Sequence, residues 1–176
     1  NGVFWMKCGS DKRRVTSREE LQRLLQSVGL VYADEVPVAG TAAADLDLDH
    51  FQVFLQEQYG EALPAGTEPL NRLLENLDLA KEGTLNLAGL LLFGRNPQRH
   101  RPAFLVKAVS FVGNDPVGDR YRDSEDLGGC LRDLQKRTMS FLMRNLRRLQ
   151  NGKGFNSEGV LEVAGPGLEE LVVNMF

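Results

Sequence analysis

Residues 85–115 read LNLAGLLLFGRNPQRHRPAFLVKAVSFVGND, and the fold turns on how this stretch divides. The apolar run 85–93 predicts a helix, Gly94 and Pro97 punctuate a turn, and Arg95, Arg99, His100 and Arg101 crowd the loop that follows. Residues 103–113 predict a strand, with Phe104, Val106, Ala108, Ser110 and Val112 on one face and Leu105, Lys107, Val109 and Phe111 on the other. Only Lys107 and Ser110 are polar, so both faces are expected to be covered, as in an inner strand.

Working outward, a chain of 176 residues can bury a sizeable core and fits one domain, or one domain plus part of another. It opens on Asn1 with Val3 and Phe4 close behind, and 168–176 resembles a helix cut short, so it reads as a piece of a longer protein. No apolar run approaches the roughly 20 residues of a membrane span, and no signal pattern opens the chain, so a soluble, cytoplasmic protein is expected. Cys8 and Cys130 lack C-x-x-C spacing and are accompanied only by His50 and His100, which argues against a disulfide framework or a zinc site. A net charge of −3 disfavours a protein that coats nucleic acid, but leaves room for a local basic face.

Taken in order, residues 3–7 predict a strand entering a turn at Cys8-Gly9-Ser10. Lys12, Arg13 and Arg14 follow, either as a phosphate contact or as a solvated loop before a helix. Thr16 and Ser17 with Glu19 and Glu20 predict a capped helix start; Leu21, Leu24, Leu25 and Val28 form its apolar face and Gly29 its end. The small-residue and Pro/Gly content of 31–48 predicts a linker. Asp45, Asp47 and Asp49 begin like a calcium loop, but the sixth position is His50 where an EF-hand needs glycine, so solvent-facing carboxylates are expected. Asp49 with Gln52 predicts a second helix start, with Phe51, Phe54 and Leu55 inward and Tyr59-Gly60 at the end. Leu70, Leu73, Leu74 and Leu77 mark a third helix, and Thr84 is expected to cap the helix over 85–93. The last two have the spacing of a helix-turn-helix, but 85–93 offers no polar reading face, which favours core helices.

A loop is expected over 114–122, then the longest helix, capped by Asp123 or Ser124 and reaching about residue 150. Leu127, Leu131, Leu134, Phe141, Leu142, Leu146 and Leu149 give it a nearly heptad stripe, suited to packing or to a homodimer seam. Its acids come first and Lys136, Arg137, Arg144, Arg147 and Arg148 later, an order that suits the helix dipole and also suits a helix lying along a nucleic-acid backbone. Another loop is expected over 152–157 and a strand over 160–163. The fold class that results is α+β: a helix-rich module around one central strand, with a long amphipathic helix.

The stretch 85–115 closely resembles the middle segment of proteins described as RecG-like ATP-dependent DNA helicases or as transcriptional regulators. Those proteins typically carry L-T-N-A-G-x-L-L-F-G-x-x-P before a strand ending near F-x-G. Ala88-Gly89, Leu91-Leu92-Phe93-Gly94 and Pro97 match, while Asn86 and Leu87 stand where Thr and Asn are usual. The resemblance implies an AlbA-like (Schlafen-type) DNA-binding domain whose final strand and helix correspond to 1–30, with Lys7-Cys8-Gly9-Ser10 where the family has R-V-G-S. It implies a linker over 31–48, a connector module over 49–165, and over 166–176 the start of a Bergerat-type ATPase helix. Lys12, Arg13, Arg14, Arg95, Arg99, Arg101, Arg144, Arg147 and Arg148 are then the nucleic-acid-binding candidates, and a DNA role predicts that the 95–101 and 137–148 clusters share one face. Residues 165–174, GPGLEELVVN, are similar to the family's P-x-x-A-L-R-E-x-x-x-N-A helix. By position Glu170 activates the attacking water and Asn174 binds magnesium with ATP, although Glu169 replaces the usual Arg and Met175 the usual Ala. The later motifs that hold adenine and the phosphate lid do not occur here, and no G-x-x-x-x-G-K-[ST] loop supports helicase activity. The segment alone is therefore expected to be inactive and without cofactor.

Overall fold

The computed structural model describes residues 3–30, 32–113, 120–149 and 159–176. Asn1, most of the loop expected over 114–122 and the loop expected over 152–157 lie outside the described residues. Within them the chain is a mixed α/β structure of helices and small antiparallel two-stranded sheets, an α+β fold. Among the described residues no helix is long and apolar enough to cross a membrane.

β1 (Trp5–Cys8) and β2 (Asp11–Arg14) form a hairpin, so the basic tripeptide lies on a strand and not on a loop. Gly9 makes the tight reversal possible because its φ of +64° is a conformation that side-chain-bearing residues resist. α1 (Arg18–Ser27) starts as its capping pattern predicts: the Ser17 hydroxyl accepts a hydrogen bond from Glu20 N at 3.1 Å. None of its residues is buried.

The principal core is assembled from α2 (Leu48–Tyr59), α3 (Thr67–Asn76), the hairpin of β3 (Ala80–Lys81) and β4 (Thr84–Leu85), and α4 (Leu87–Phe93). Leu46, Phe51, Leu55, Leu74 and Leu85 are completely buried, each worth about 1.5–3 kcal/mol relative to exposure. Phe93 ties the helices together, with its ring 5.0 Å from those of both Phe51 and Phe54. Part of the stretch read as a linker enters this core. Val38 N donates to Leu85 O, Asp47 N to Phe93 O and Arg95 N to Asp45 O, each at 2.8 Å, and Val38 and Leu46 are buried.

Two caps differ from expectation for the same reason. Asp47, not Asp49, caps α2 through a bond from His50 N at 3.1 Å, because the Phe93 carbonyl holds the Asp47 backbone extended. Thr84 pairs with Lys81 in the hairpin, and Asn86 caps α4. The buried Asn86 amide accepts from Gly89 N at 2.8 Å and donates to the Asp78 carbonyl, so both of its ends are satisfied.

The strand of the organising stretch is β5 (Val106–Phe111), paired with β6 (Tyr121–Leu127). It is one half of a two-stranded ribbon and not an inner strand: Val106 and Ala108 pack on a second core of Leu127, Leu134 and Phe141, while Lys107 and Val109 face solvent. Asp123 and Ser124, expected to cap the long helix, lie within β6. That helix, α5 (Leu131–Asn145), begins only after Gly128-Gly129, where Gly129 adopts φ +118° and a Cβ would come 2.6 Å from that of Asp133. It ends at Asn145, and β7 (Arg148–Leu149) pairs with β8 (Val160–Leu161). The face formed by Leu134, Thr138 and Phe141 is buried within the chain against β5, β6 and α4. α6 (Gly165–Val173) packs on α5 and buries Leu168 and Val172.

Candidate nucleic-acid interface

Directly opposed residues of an antiparallel pair share a face, and so do residues two apart on one strand. With Trp5 opposite Arg14 and Lys7 opposite Lys12, these four side chains project from one face of the β1–β2 ribbon. Met6 and Arg13 occupy the other, where the Arg13 guanidinium reaches Glu20 of α1 at 2.5 Å. The ion pair turns that face toward α1 and leaves the Trp5 face to solvent, with Trp5 60% exposed. Among the described residues Lys7, Lys12 and Arg14 have no acidic partner within salt-bridge distance. Two lysines directly opposite one another repel, and an anion between them would relieve the repulsion.

The second cluster is braced more than it is presented. Arg95 donates to Leu46 O at 3.1 Å and Arg101 to His100 O at 3.2 Å, while His100 approaches Asp45 at 3.4 Å. Gln98 locks the loop to the start of α5 by exchanging two bonds with Gly129, both at 2.9 Å. Arg99 is exposed.

In the third cluster Arg144 bridges two carboxylates of β6, Asp123 at 2.9 Å and Glu125 at 3.0 Å, and its guanidinium lies 5.3 Å from the Phe141 ring centroid. Hydrogen bonds from Asn145 and Arg144 hold the Asp123 carboxyl below its ordinary range, and those to Glu125 and Asp123 hold Arg144 still more firmly charged. Arg144 is therefore neutralised by its own chain. Arg137 is exposed on α5, whereas Arg147 and Arg148 lie beyond its end, Arg148 in β7. The Arg95–Arg101 loop bonds Gly129, just before α5, and Arg144 is 13 residues beyond the first residue of that helix, roughly 20 Å at the helical rise. Along α5, Arg137 lies near the middle and Arg144 near the end away from the Arg95–Arg101 loop.

Comparison of the chain with family models, curated proteins and solved structures finds no match.

Glu170 and Asn174 are exposed at the C-terminal end of α6, where Asn174 N donates to Glu170 O at 2.9 Å. A helix C-terminus carries the negative end of the dipole and opposes phosphate. Among the described residues no group of carboxylates, cysteines or histidines is placed to hold a metal ion. Burial pushes the Cys130 thiol up, which favours the protonated form of this buried cysteine.

Sequence reasoning missed an aromatic cleft of about 470 Å³ lined by His50, Phe54, Tyr59, Phe93 and Arg132, among others. His50, Val53, Phe54 and Glu57 recur at the spacing of a helical stripe, the pattern that could have revealed this second face of α2. Burial, with Arg132 next, lowers the His50 pKa and favours the neutral ring. Trp5 and Lys7 were also missed as site residues, since only the cross-strand register sets them beside Lys12 and Arg14.

Proposed function

We propose that this chain is the connector segment of a nucleic-acid-directed regulator, of the kind described as RecG-like ATP-dependent DNA helicases. The β1–β2 ribbon and α1 are, in this reading, the last elements of an AlbA-like DNA-binding part, and α6 leads into an ATPase part. ATP and magnesium belong to the full-length protein, with Glu170 and Asn174 contributing only beside residues of that part. The observation that carries the DNA role is the cationic face of the ribbon, where Lys7, Lys12 and Arg14 have no acidic partner among the described residues. Lys12 and Arg14 serve as phosphate contacts, while Arg13 braces the ribbon on α1.

The test is fluorescence anisotropy of labelled duplex and single-stranded DNA at two salt concentrations. The chain is set beside Lys7→Glu/Lys12→Glu/Arg14→Glu and beside Arg144→Glu. Binding lost in the triple variant and falling steeply with salt is expected; three neutralised phosphates give a log–log slope of about −2 to −3. Absence of binding at low salt, or equal binding by the triple variant, overturns the reading.

A second reading, a protein-interaction or dimerisation module, draws on Leu171, Val173, Met175 and Phe176, all about half exposed or more. It predicts a concentration-dependent mass by sedimentation equilibrium that Leu171→Asp abolishes. A constant monomer mass overturns it.

A further inference from the structure

We infer that the Trp5 face of the β1–β2 ribbon takes single-stranded nucleic acid, with the indole of Trp5 as a stacking platform for an unpaired base. The inference rests on the nucleic-acid reading above and adds the class of strand and the residue that selects it.

Three observations carry it. The first is the exposure of Trp5: an aromatic ring of this size, 60% accessible, is uncommon without a partner surface. Among the described residues the ring stacks on no other aromatic side chain and carries no guanidinium over its face, so the ring face is available. The second is register. Trp5 is surrounded on its own face by Arg14 directly opposite, Lys7 two residues along and Lys12 on the diagonal. Trp5, Lys7 and Lys12 line a depression there, together with Met6, which lies between Trp5 and Lys7 on β1. An aromatic ring amid exposed cations matches a polyanion whose repeating unit also presents a flat π-face. The third is the opposite face, which the Arg13–Glu20 pair ties to α1, so the ligand meets a braced surface.

The form of the strand follows from where base faces are accessible. In a duplex they are stacked on one another, and a side chain entering a groove meets only base edges. The ring of Trp5 has nothing to stack on there unless the duplex is kinked. In a single strand each base exposes a π-face, and phosphates flank it on both sides. Each strand of the ribbon is four residues long, roughly 13 Å, so the patch spans a few nucleotides. Stacking on the Trp5 ring is itself tolerant of sequence, because every base has a π-face.

Trp5 is the only tryptophan of the chain, so its emission reports on this face without labelling. The experiment titrates the full chain with an unlabelled thymidine oligonucleotide and with a duplex of equal length, following Trp5 emission. Anisotropy of labelled forms of both is measured in parallel for the chain and for Trp5→Phe, Trp5→Ala and Lys7→Glu/Lys12→Glu. Circular dichroism confirms that each variant is folded. Saturable, salt-reversible quenching by the single strand is expected, with little quenching by the duplex. Single-strand affinity should fall about tenfold or more in Trp5→Ala and less in Trp5→Phe, since stacking of one base accounts for that much. Binding of either form with unchanged Trp5 emission and no loss in Trp5→Ala overturns the stacking inference and leaves the nucleic-acid reading standing. Binding to neither form overturns both.

Discussion

At the scale of single residues, Gly89 and His50 show two different constraints on the principal core. Gly89 is buried in α4 where it crosses the β3–β4 hairpin, and a Cβ there would stand 2.2 Å from the Leu79 carbonyl oxygen. That atom is backbone and cannot turn aside, so a single methyl must force the helix off the hairpin. Gly89→Ala is expected to destabilise the chain by about 3 kcal/mol, at the upper end of overpacking costs, as read by urea denaturation; a change near zero would show that α4 is not seated as described. His50 carries a titratable constraint. Its ring lies 5.4 Å from that of Phe93, and its folded pKa falls below the ordinary 6.5 through burial and Arg132, with Lys136 acting in the same sense and Asp47 and Asp133 opposing. A lowered folded pKa means that the unfolded chain binds the proton more readily. The contribution is therefore complete above about pH 6.5 and is lost as the pH falls through the folded value. Melting temperatures measured from pH 7.5 to pH 5 should decline in this window, and His50→Gln should flatten the decline. An unchanged slope would show that other groups govern it.

Among the elements, α5 illustrates how charge on a helix becomes structure instead of a binding surface. The run of basic residues toward its end suits the dipole, and it also suits a polyanion. Arg144 is already engaged by Asp123 and Glu125, which lie two apart on the same face of β6, and Asn145 adds a bond of 2.8 Å to Asp123. This fork fastens the end of α5 to the β5–β6 ribbon. Arg144→Ala is expected to lower the melting temperature modestly, by less in high salt because the pair is exposed, and to leave DNA affinity unchanged. A marked loss of DNA affinity without a change in melting temperature would place Arg144 in the interface. The beginning of α5 is equally instructive. Asp123 and Ser124 are good caps in isolation, but hydrogen bonding to β5 takes that segment as a strand, and Gly128-Gly129 supplies the break that starts the helix. The two glycines were visible in the sequence, and they marked the boundary more reliably than the hydroxyl and carboxylate before them.

On the scale of the whole molecule, the passage around residues 36–47, which includes a 3-10 turn at Ala43–Asp45, joins parts that are far apart in sequence. It bonds to Leu85, Leu87 and Phe93 along its length and inserts Val38 and Leu46 into the core. Its composition of alanine, glycine, proline and aspartate has no helical or strand period, because its partners lie some fifty residues downstream. Among the described residues, β2 and α1 contribute no buried residue to that core, and Trp5 is left exposed.

What the sequence determined by itself is the set of features whose cause is local: the Ser17 start of α1, the stripe of α3, the glycine end of α2 and the alternation along β5. Each depends on residues within one or two turns or one strand. Tertiary structure decided whatever needed a distant partner. It chose Asp47 and Asn86 as caps, made β5 half of a ribbon, neutralised Arg144, and set Lys7 opposite Lys12 beside Trp5. The physical reason is one of range. Periodicity and capping act between neighbours in the chain, whereas burial, ion pairing and cross-strand register depend on which segments meet after folding.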